Sequence, residues 1–333
     1  MLKYFLNKEI DYKKWDFCIE ASNQRIIYAL SWYLDIVAPS WSALILERGD
    51  SYYAVMPLPE ATKFGITYLY QPLFCQQLGI FSISENLKYD EFIDELLKRY
   101  SLISSYNFNT ENSKKLKFPI DRKLEINKYY THHLNLNLSY GRIFKGYDRD
   151  RKLNLNRSFK ANLTLKTGIE IDPLIRLFKD EVANKINGGV SENAYVILKQ
   201  VYKVLEEKGM GDVYYTYNQF DELDSGGLFI NYANKIIYLF SAASKSGRKN
   251  NGRTLIIDKI AKEYSDQNYV LDFESHPTET AINHVYKGFG SKESPYFQIR
   301  YLNLPFPLNI IKKARMLFYQ HVLHFLRPNN KAG

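Results

Sequence analysis

The sequence predicts an α/β (α+β) protein built as tandem units, each with a mixed, largely antiparallel sheet flanked by helices. Three observations carry this. The chain has 333 residues, more than one hydrophobic core usually spans, and two units of roughly 150 residues are the ordinary solution. Stretches with strand-like apolar patterning sit beside stretches with the 3.6-residue apolar period of a helix. Their order, helical material, then adjacent strands, then a helix, occurs twice, with a change of pattern near 140–147 and no exact sequence repeat.

Residues 11–37 read as amphipathic helix around Trp15, Ile19, Ile26 and Trp32, ending before Pro39. WSALILERGDSYYAVMPLP predicts a hairpin turning at Gly49-Asp50. ITYLYQPLF reads as a further strand, and YDEFIDELLKRY as a helix with Phe92, Ile93, Leu96 and Leu97 on its apolar face. Mixed strand and loop, including YYTHHLNLNL, reaches about residue 139. From Asp148 to Lys166 the polar, basic pattern predicts a helix stopped by Gly168, and two more helices follow over 173–187 and 191–208. DVYYTYNQ, GGLFINY and KIIYLFSAAS read as strands, the last two joined by a turn near Asn234-Lys235. GRTLIIDKIAKEYSD is then a helix, NYVLDFES a strand, ETAINHVYKGFG a helix ended by Gly288 or Gly290, and YFQIRYLNL a late strand. The tail from about 308 to 326 is expected to be helical.

Composition narrows the class. Hydrophobic residues at 45% and charged residues at 24% exclude a disordered chain. The 28 tyrosines and 20 phenylalanines suit half-buried sheet faces or clefts. Two cysteines, Cys18 and Cys75, make neither a disulfide framework nor a Cys-rich zinc site and read as structural thiols. Charges interrupt MLKYFLNKEIDYKKWD before a signal-peptide core develops, and no apolar run approaches the roughly 20 residues that span a bilayer. A cytoplasmic location without an integral membrane segment is the expectation, with peripheral membrane contact left open. The net charge of +9 suits polyanionic partners such as CoA, tRNA or anionic lipid. It is concentrated in Lys114, Lys115 and Lys117, in Arg149, Arg151, Lys152, Arg157 and Lys160, and in Lys245, Arg248, Lys249 and Arg253. Solvated basic faces explain such clusters equally well.

Two stretches carry the candidate chemistry. In SAASKSGRKNNGRTLIIDKIAKEY, residues 241–264, a strand ends in small residues and a Gly-containing basic segment precedes a helix. Backbone amides there can meet a phosphate or carboxylate, and Arg can pair two oxygens. The segment lacks the Gly-x-x-x-x-Gly-Lys-Ser/Thr arrangement of a P-loop. In NYVLDFESHPTETAINHVYKGFG, residues 268–290, Asp272 and Glu274 are two apart at the end of a strand, on one face if the strand continues. Either carboxylate can orient or deprotonate an amine; Asp272 is favoured by its apolar YVLDF surroundings, with His276 as a further base. The alternative is a carboxylate that braces the following helix. His284 reads as a packing or surface residue. Adjacent strand residues His132 and His133 point oppositely, and His321 and His324 lack an HExxH motif, so no metal site is expected. No nucleophile elbow surrounds Ser241, which leaves direct transfer between an activated acyl donor and an amine.

YDRDRKLNLNRSFKANLTLKTGIEI at 147–171, KIIYLFSAASKSGRKNNGRTLIIDKIAKEY at 235–264 and YVLDFESHPTETAINHVYKGFG at 269–290 resemble the FemAB-like and BioF2-like branch of the acyl-CoA N-acyltransferase (GNAT) superfamily. Trp15, SWYLD at 31–35, YAVMPLP and GITYLYQPLF look like the corresponding first unit. The resemblance implies tandem GNAT-like domains facing across a cleft. These would be residues 1–145, residues 146–300 with the donor loop, and residues 301–333, a strand end and helix able to pack back on the first domain. It also places Lys245, Ser246, Gly247, Arg248, Lys249, Asn251, Gly252 and Arg253 at the family's strand-to-helix ligand loop, and Asp272 at its recurring aspartate. SGRKNNGR matches the family's Arg/Gln-x-x-Gly-x-Gly/Ala pattern only loosely, and the long helical hairpin of peptidoglycan-bridge enzymes is not evident.

The expected function is an N-acyltransferase that moves an acyl group from acyl-CoA or a similar thioester to an amine. Asp272 or Glu274 would handle the proton, and Tyr68, Tyr70, Tyr215 and Tyr217 would shape the acceptor cleft. Acyl-CoA would be a co-substrate and not a tightly bound cofactor. The acceptor would be a small-molecule amine or a cell-envelope precursor. Transfer of an amino acid from charged tRNA to a cell-wall precursor is the nearest alternative, and a noncatalytic ligand-binding protein on the same fold is the alternative of a different class.

Overall fold

The computed structural model describes residues 1–305 except Asn187 and His276. The expected helix over 308–326, with His321 and His324, and the candidate base His276 lie outside the described residues.

The chain opens on a strand not anticipated from the sequence, β1 (Leu2–Leu6), followed by α1 (Tyr12–Ala21) and α2 (Ser31–Val37). Asp11 starts α1 by accepting hydrogen bonds from the Lys13 and Lys14 amides, which satisfies two of the free donors at the helix start. The hairpin of β2 (Trp41–Arg48) and β3 (Ser51–Lys63) turns as expected at Gly49-Asp50, where Gly49 supplies a φ of +58°. Then come β4 (Ile66–Leu69), β5 (Phe81–Ser82), α3 (Tyr89–Arg99), β6 (Leu102–Asn107) and β7 (Leu124–Asn135). The second half runs α4 (Tyr140–Gly146), α5 (Arg149–Lys160), β8 (Thr164–Gly168), α6 (Asp172–Glu181) and α7 (Glu192–Glu207). It continues with β9 (Gly211–Tyr217), β10 (Leu223–Tyr232), β11 (Lys235–Ala243), α8 (Lys245–Asn250) and α9 (Gly252–Glu263). It closes with β12 (Val270–Asp272), α10 (Thr280–Gly288) and β13 (Lys292–Leu302).

The strands form one mixed, largely antiparallel sheet flanked by helices, in the order β1-β2-β3-β4-β6-β13-β7-β12-β11-β10-β9-β8, with β5 on β3. Among these strands only β4 with β6 and β11 with β12 run parallel. Each parallel pair brackets helical chain, α3 in one case and α8-α9 in the other, as a parallel connection requires. The repeat read from the sequence is thus a repeat of topology. β13 lies between β6 and β7, so a strand from late in the chain completes the sheet among early ones. The largest core cluster surrounds Trp15 and Trp41, whose rings are 4.8 Å apart. A second packs α9 and α10 against β11 and β12, and a third packs α6 and α7 against β9 and β10.

Several elements differ from expectation for local reasons. The helix expected up to Lys166 ends at Lys160, Asn162 turns the chain at φ +49°, and Thr164–Gly168 becomes the edge strand β8. Gly168 therefore stops no helix. A Cβ there would meet the Tyr215 ring at 2.3 Å, so glycine is required by packing. The β10–β11 turn uses Ala233 and Asn234, both at positive φ, one residue before the expected pair. ITYLYQPLF is strand only through Leu69, and NYVLDFES only over Val270–Asp272.

Candidate active site

β12 pairs with β11 over three residues, Lys235–Ile237 against Val270–Asp272, and with β7 on its other side. Past Asp272 the chain leaves the sheet while β11 runs on to Ala243. Both candidate carboxylates sit at this divergence, in very different surroundings.

Alternation along β7 directs Thr131 and His133 to one face. Thr131 Oγ1 donates to Asp272 Oδ1 at 2.5 Å, and His133 Nε2 lies 3.0 Å from Oδ2. The Lys235 ammonium stands 3.8 Å from Oδ2, and the Glu274 amide donates to Oδ1 at 3.1 Å. Asp272 is 2% exposed. Burial alone would raise its pKa, but His133, Lys235 and Thr131 together outweigh burial and hold the carboxyl well below the usual carboxylate range. Both oxygens are engaged, and the group is an ionised anchor tying β7 to β12.

Glu274 is two residues on, in the left-handed region at φ +46°, a conformation that costs a residue with a Cβ about 1–2 kcal/mol. Its side chain turns toward the first half of the chain, where the Tyr28 hydroxyl donates to Oε1. Burial raises its pKa and the Asp272 charge adds to the rise. Tyr28 and Lys235 oppose them, and the carboxyl is pushed up to about 8. Tyr33, Cys75 and Tyr296 all lie within electrostatic reach of it. Gln76 Nε2 fixes the loop from the other side by donating to the Ser275 carbonyl at 3.1 Å.

Residues of α5, α8, α9, α10 and β11 form a hollow of about 230 Å³ whose wall includes Arg151, Asn154, Tyr238, Arg248, Arg253 and Tyr286. Arg248 is already engaged, donating to the Ala243 carbonyl and to Glu181, both at 2.7 Å. Among the described residues Arg151 Nε is buried without a hydrogen-bond partner, and no carboxylate pairs with Arg253. Tyr286, in the wall, feels the charges of both Arg253 and Glu274. Guanidinium groups converging on a hollow with unused donors suit the oxygens of a phosphate.

The segment expected to bind the donor is divided by the structure. Gly247, Arg248, Asn251 and Arg253 line the hollow, whereas Lys245 and Lys249 are exposed elsewhere on α8. Ser246 donates to Asp224, as does Asn250 at 2.7 Å, so Asp224 holds the segment as the short helix α8 and not as an open loop. Gly247 and Gly252 are glycine because the helices lie directly on the sheet. A Cβ on Gly247 would meet the Asp224 carbonyl oxygen at 1.9 Å, and one on Gly252 would meet Thr216 Oγ1 at 2.5 Å. Gly247→Ala is therefore expected to destabilise the fold by about 2–3 kcal/mol in urea titrations.

The tyrosines expected at an acceptor cleft are not brought together. Tyr68 lies on β4 and Tyr70 just beyond it, while Tyr215 and Tyr217 lie on β9, with β6, β13, β7, β12, β11 and β10 between the two strands. Tyr215 is buried in the core, its hydroxyl donating to the Glu170 carbonyl at 2.6 Å. The tyrosines that do surround the site are Tyr28, Tyr33, Tyr238, Tyr286 and Tyr296. Arg151 stood in a basic cluster without an assigned role, and Tyr28 sits in the apolar run IIYAL, where no sequence signal marks it.

No protein-family model and no curated protein sequence matches the chain. Solved structures do resemble it in shape. FemX superposes with a TM-score of 0.62 at 10% identity, over 89% of this chain and 96% of its own. A tandem GNAT protein from the clavulanic acid biosynthesis pathway gives 0.54 at 9% identity, over 90% and 98%. L-PGS from Bacillus licheniformis gives 0.53 at 12% identity, over 92% and 96%. The chain therefore shares the fold of FemX, of L-PGS and of the tandem GNAT protein, at a divergence that singles out no family and no activity.

Proposed function

We propose that the protein is an N-acyltransferase in which the arginine hollow holds the phosphate-bearing end of an activated acyl donor and Glu274 takes the proton of an amine acceptor. The observation that carries this reading is the contrast between two neighbouring carboxyls. Asp272 is locked as an anion, and Glu274 is raised to about 8, near the working range of a general base. In the reaction the amine nitrogen attacks the donor carbonyl, a C–N bond forms and the C–S bond of a thioester breaks. The nitrogen gives its proton to Glu274, and the thiolate leaves. Tyr28 orients the carboxyl, and Asp272 holds the loop that carries it through the Glu274 amide. The likeness to acyltransferase folds supports the reaction class but not a donor.

Titration calorimetry with CoA, short-chain acyl-CoAs and charged tRNA at two salt concentrations tests the donor half. Saturable binding of an acyl-CoA, weakened by about tenfold or more in Arg253→Ala, is expected from loss of one charge-assisted contact. Binding of charged tRNA alone would redirect the reading to aminoacyl transfer. Binding of none of them by the folded protein would overturn the donor site.

A further inference from the structure

A second hollow, of about 250 Å³, lies between α10, β7 and β13, and its wall includes Tyr130, His132, Thr280, His284, Lys287 and Glu293. Tyr130 and His132 reach it because alternation puts them on the face of β7 opposite Thr131 and His133. His132 is 1% exposed. Its Nδ1 lies 2.6 Å from the Ser275 hydroxyl, and its Nε2 is buried without a partner.

Burial lowers the pKa of the His132 ring below its ordinary 6.5, so near neutral pH it is uncharged and carries a single N–H. Which nitrogen carries it follows from counting donors and acceptors. With the proton on Nδ1, the fully buried Ser275 hydroxyl would have no acceptor for its own hydrogen among the described residues, and Nε2 would be a bare buried lone pair. With Ser275 donating to Nδ1, the hydrogen left without an acceptor among the described residues is the one on Nε2. The second arrangement leaves fewer orphans and makes Nε2–H a buried donor with no acceptor.

The rest of the wall offers both donors and acceptors, the Asn283 amide among them. Thr280 opens α10, whose first turn is the positive end of the helix. Glu293, the carboxylate in the wall, is held by Lys287 at 2.6 Å. We propose that this hollow is a binding site for a small oxyanion, a carboxylate or a phosphate group, which accepts the hydrogen of His132 Nε2. The site is separate from the arginine hollow, and Ser275 links it to the loop that carries Glu274.

The test is an NMR titration of the full chain labelled with 15N-histidine, using sodium acetate and inorganic phosphate in turn at constant ionic strength. A saturable shift of the His132 Nε2–H signal is expected, with a Kd on the order of 1 mM. Acetate acting alone identifies a carboxylate ligand, phosphate acting alone a phosphate ligand, and either supports the site. In His132→Asn the amide keeps a partner for Ser275 but removes the Nε2 donor. The response of His284, which shares the hollow, should then weaken at least tenfold, and His132→Gln, which restores a donor near Nε2, should recover it. No saturable response of His132 to either anion in the wild type would overturn the proposal, as would an undiminished His284 response in His132→Asn.

Discussion

Replacing Glu274 by glutamine is expected to lower kcat/KM for acyl transfer by about 100- to 10,000-fold, the usual contribution of a positioned general base. The substitution keeps the shape and the Tyr28 hydrogen bond but removes the group that accepts the proton. Stability should move in the opposite direction and with pH. The folded protein holds the Glu274 proton with a pKa of about 8 against an ordinary value of 4.5. Stability from this group is thus fully present below about 4.5 and is lost as pH rises toward 8. Glu274→Gln should match the wild type in urea titrations at pH 4. At pH 9 it should exceed it by roughly 3 kcal/mol, a figure reduced for the group's partial exposure. Equal stability of the two proteins at both pH values, with activity intact, would remove Glu274 from the mechanism.

Asp272→Ala is expected to cost about 3–5 kcal/mol, because it leaves Lys235, Thr131 and His133 facing a buried gap where a charge stood. The folded pKa of Asp272 is depressed below its ordinary 3.8. Its contribution is therefore present above that value and lost as pH falls through the lower folded one. The variant should be much less stable at neutral pH, with the difference shrinking in strong acid. Guanidinium titrations at pH 7 and pH 2 measure both. A variant as stable as the wild type at pH 7, with activity abolished, would make Asp272 a reacting group and not an anchor.

The contrast between these carboxyls shows where sequence reading stops. The spacing of Asp272 and Glu274 at the end of an apolar strand was legible, and so was the basic strand-to-helix segment. Their division of labour was not, because it depends on Thr131 and His133 from β7 and Tyr28 from the start of the chain. Apolar surroundings favoured Asp272 as the base, whereas three partners far off in sequence hold it as an anion. The alternation that sends His132 and His133 to opposite faces was readable, but their partners, Ser275 and Asp272, were not. Most helices and hairpins were legible because caps, turns and apolar period are local signals. β1 and β8, short strands at the two ends of the sheet, carry little periodicity and take their structure from β2 and β9. The position of β13 between β6 and β7 has no local signature at all.

The proposed reaction depends on Glu274 as the group that takes up a proton near neutral pH. A pH titration of the protein labelled with 13C at glutamate side-chain carboxyls, the Glu274 signal assigned by its loss in Glu274→Gln, measures this directly. A midpoint near 8 is the predicted result. A midpoint near 4.5, the ordinary glutamate value, would contradict it and leave the site without its proton acceptor.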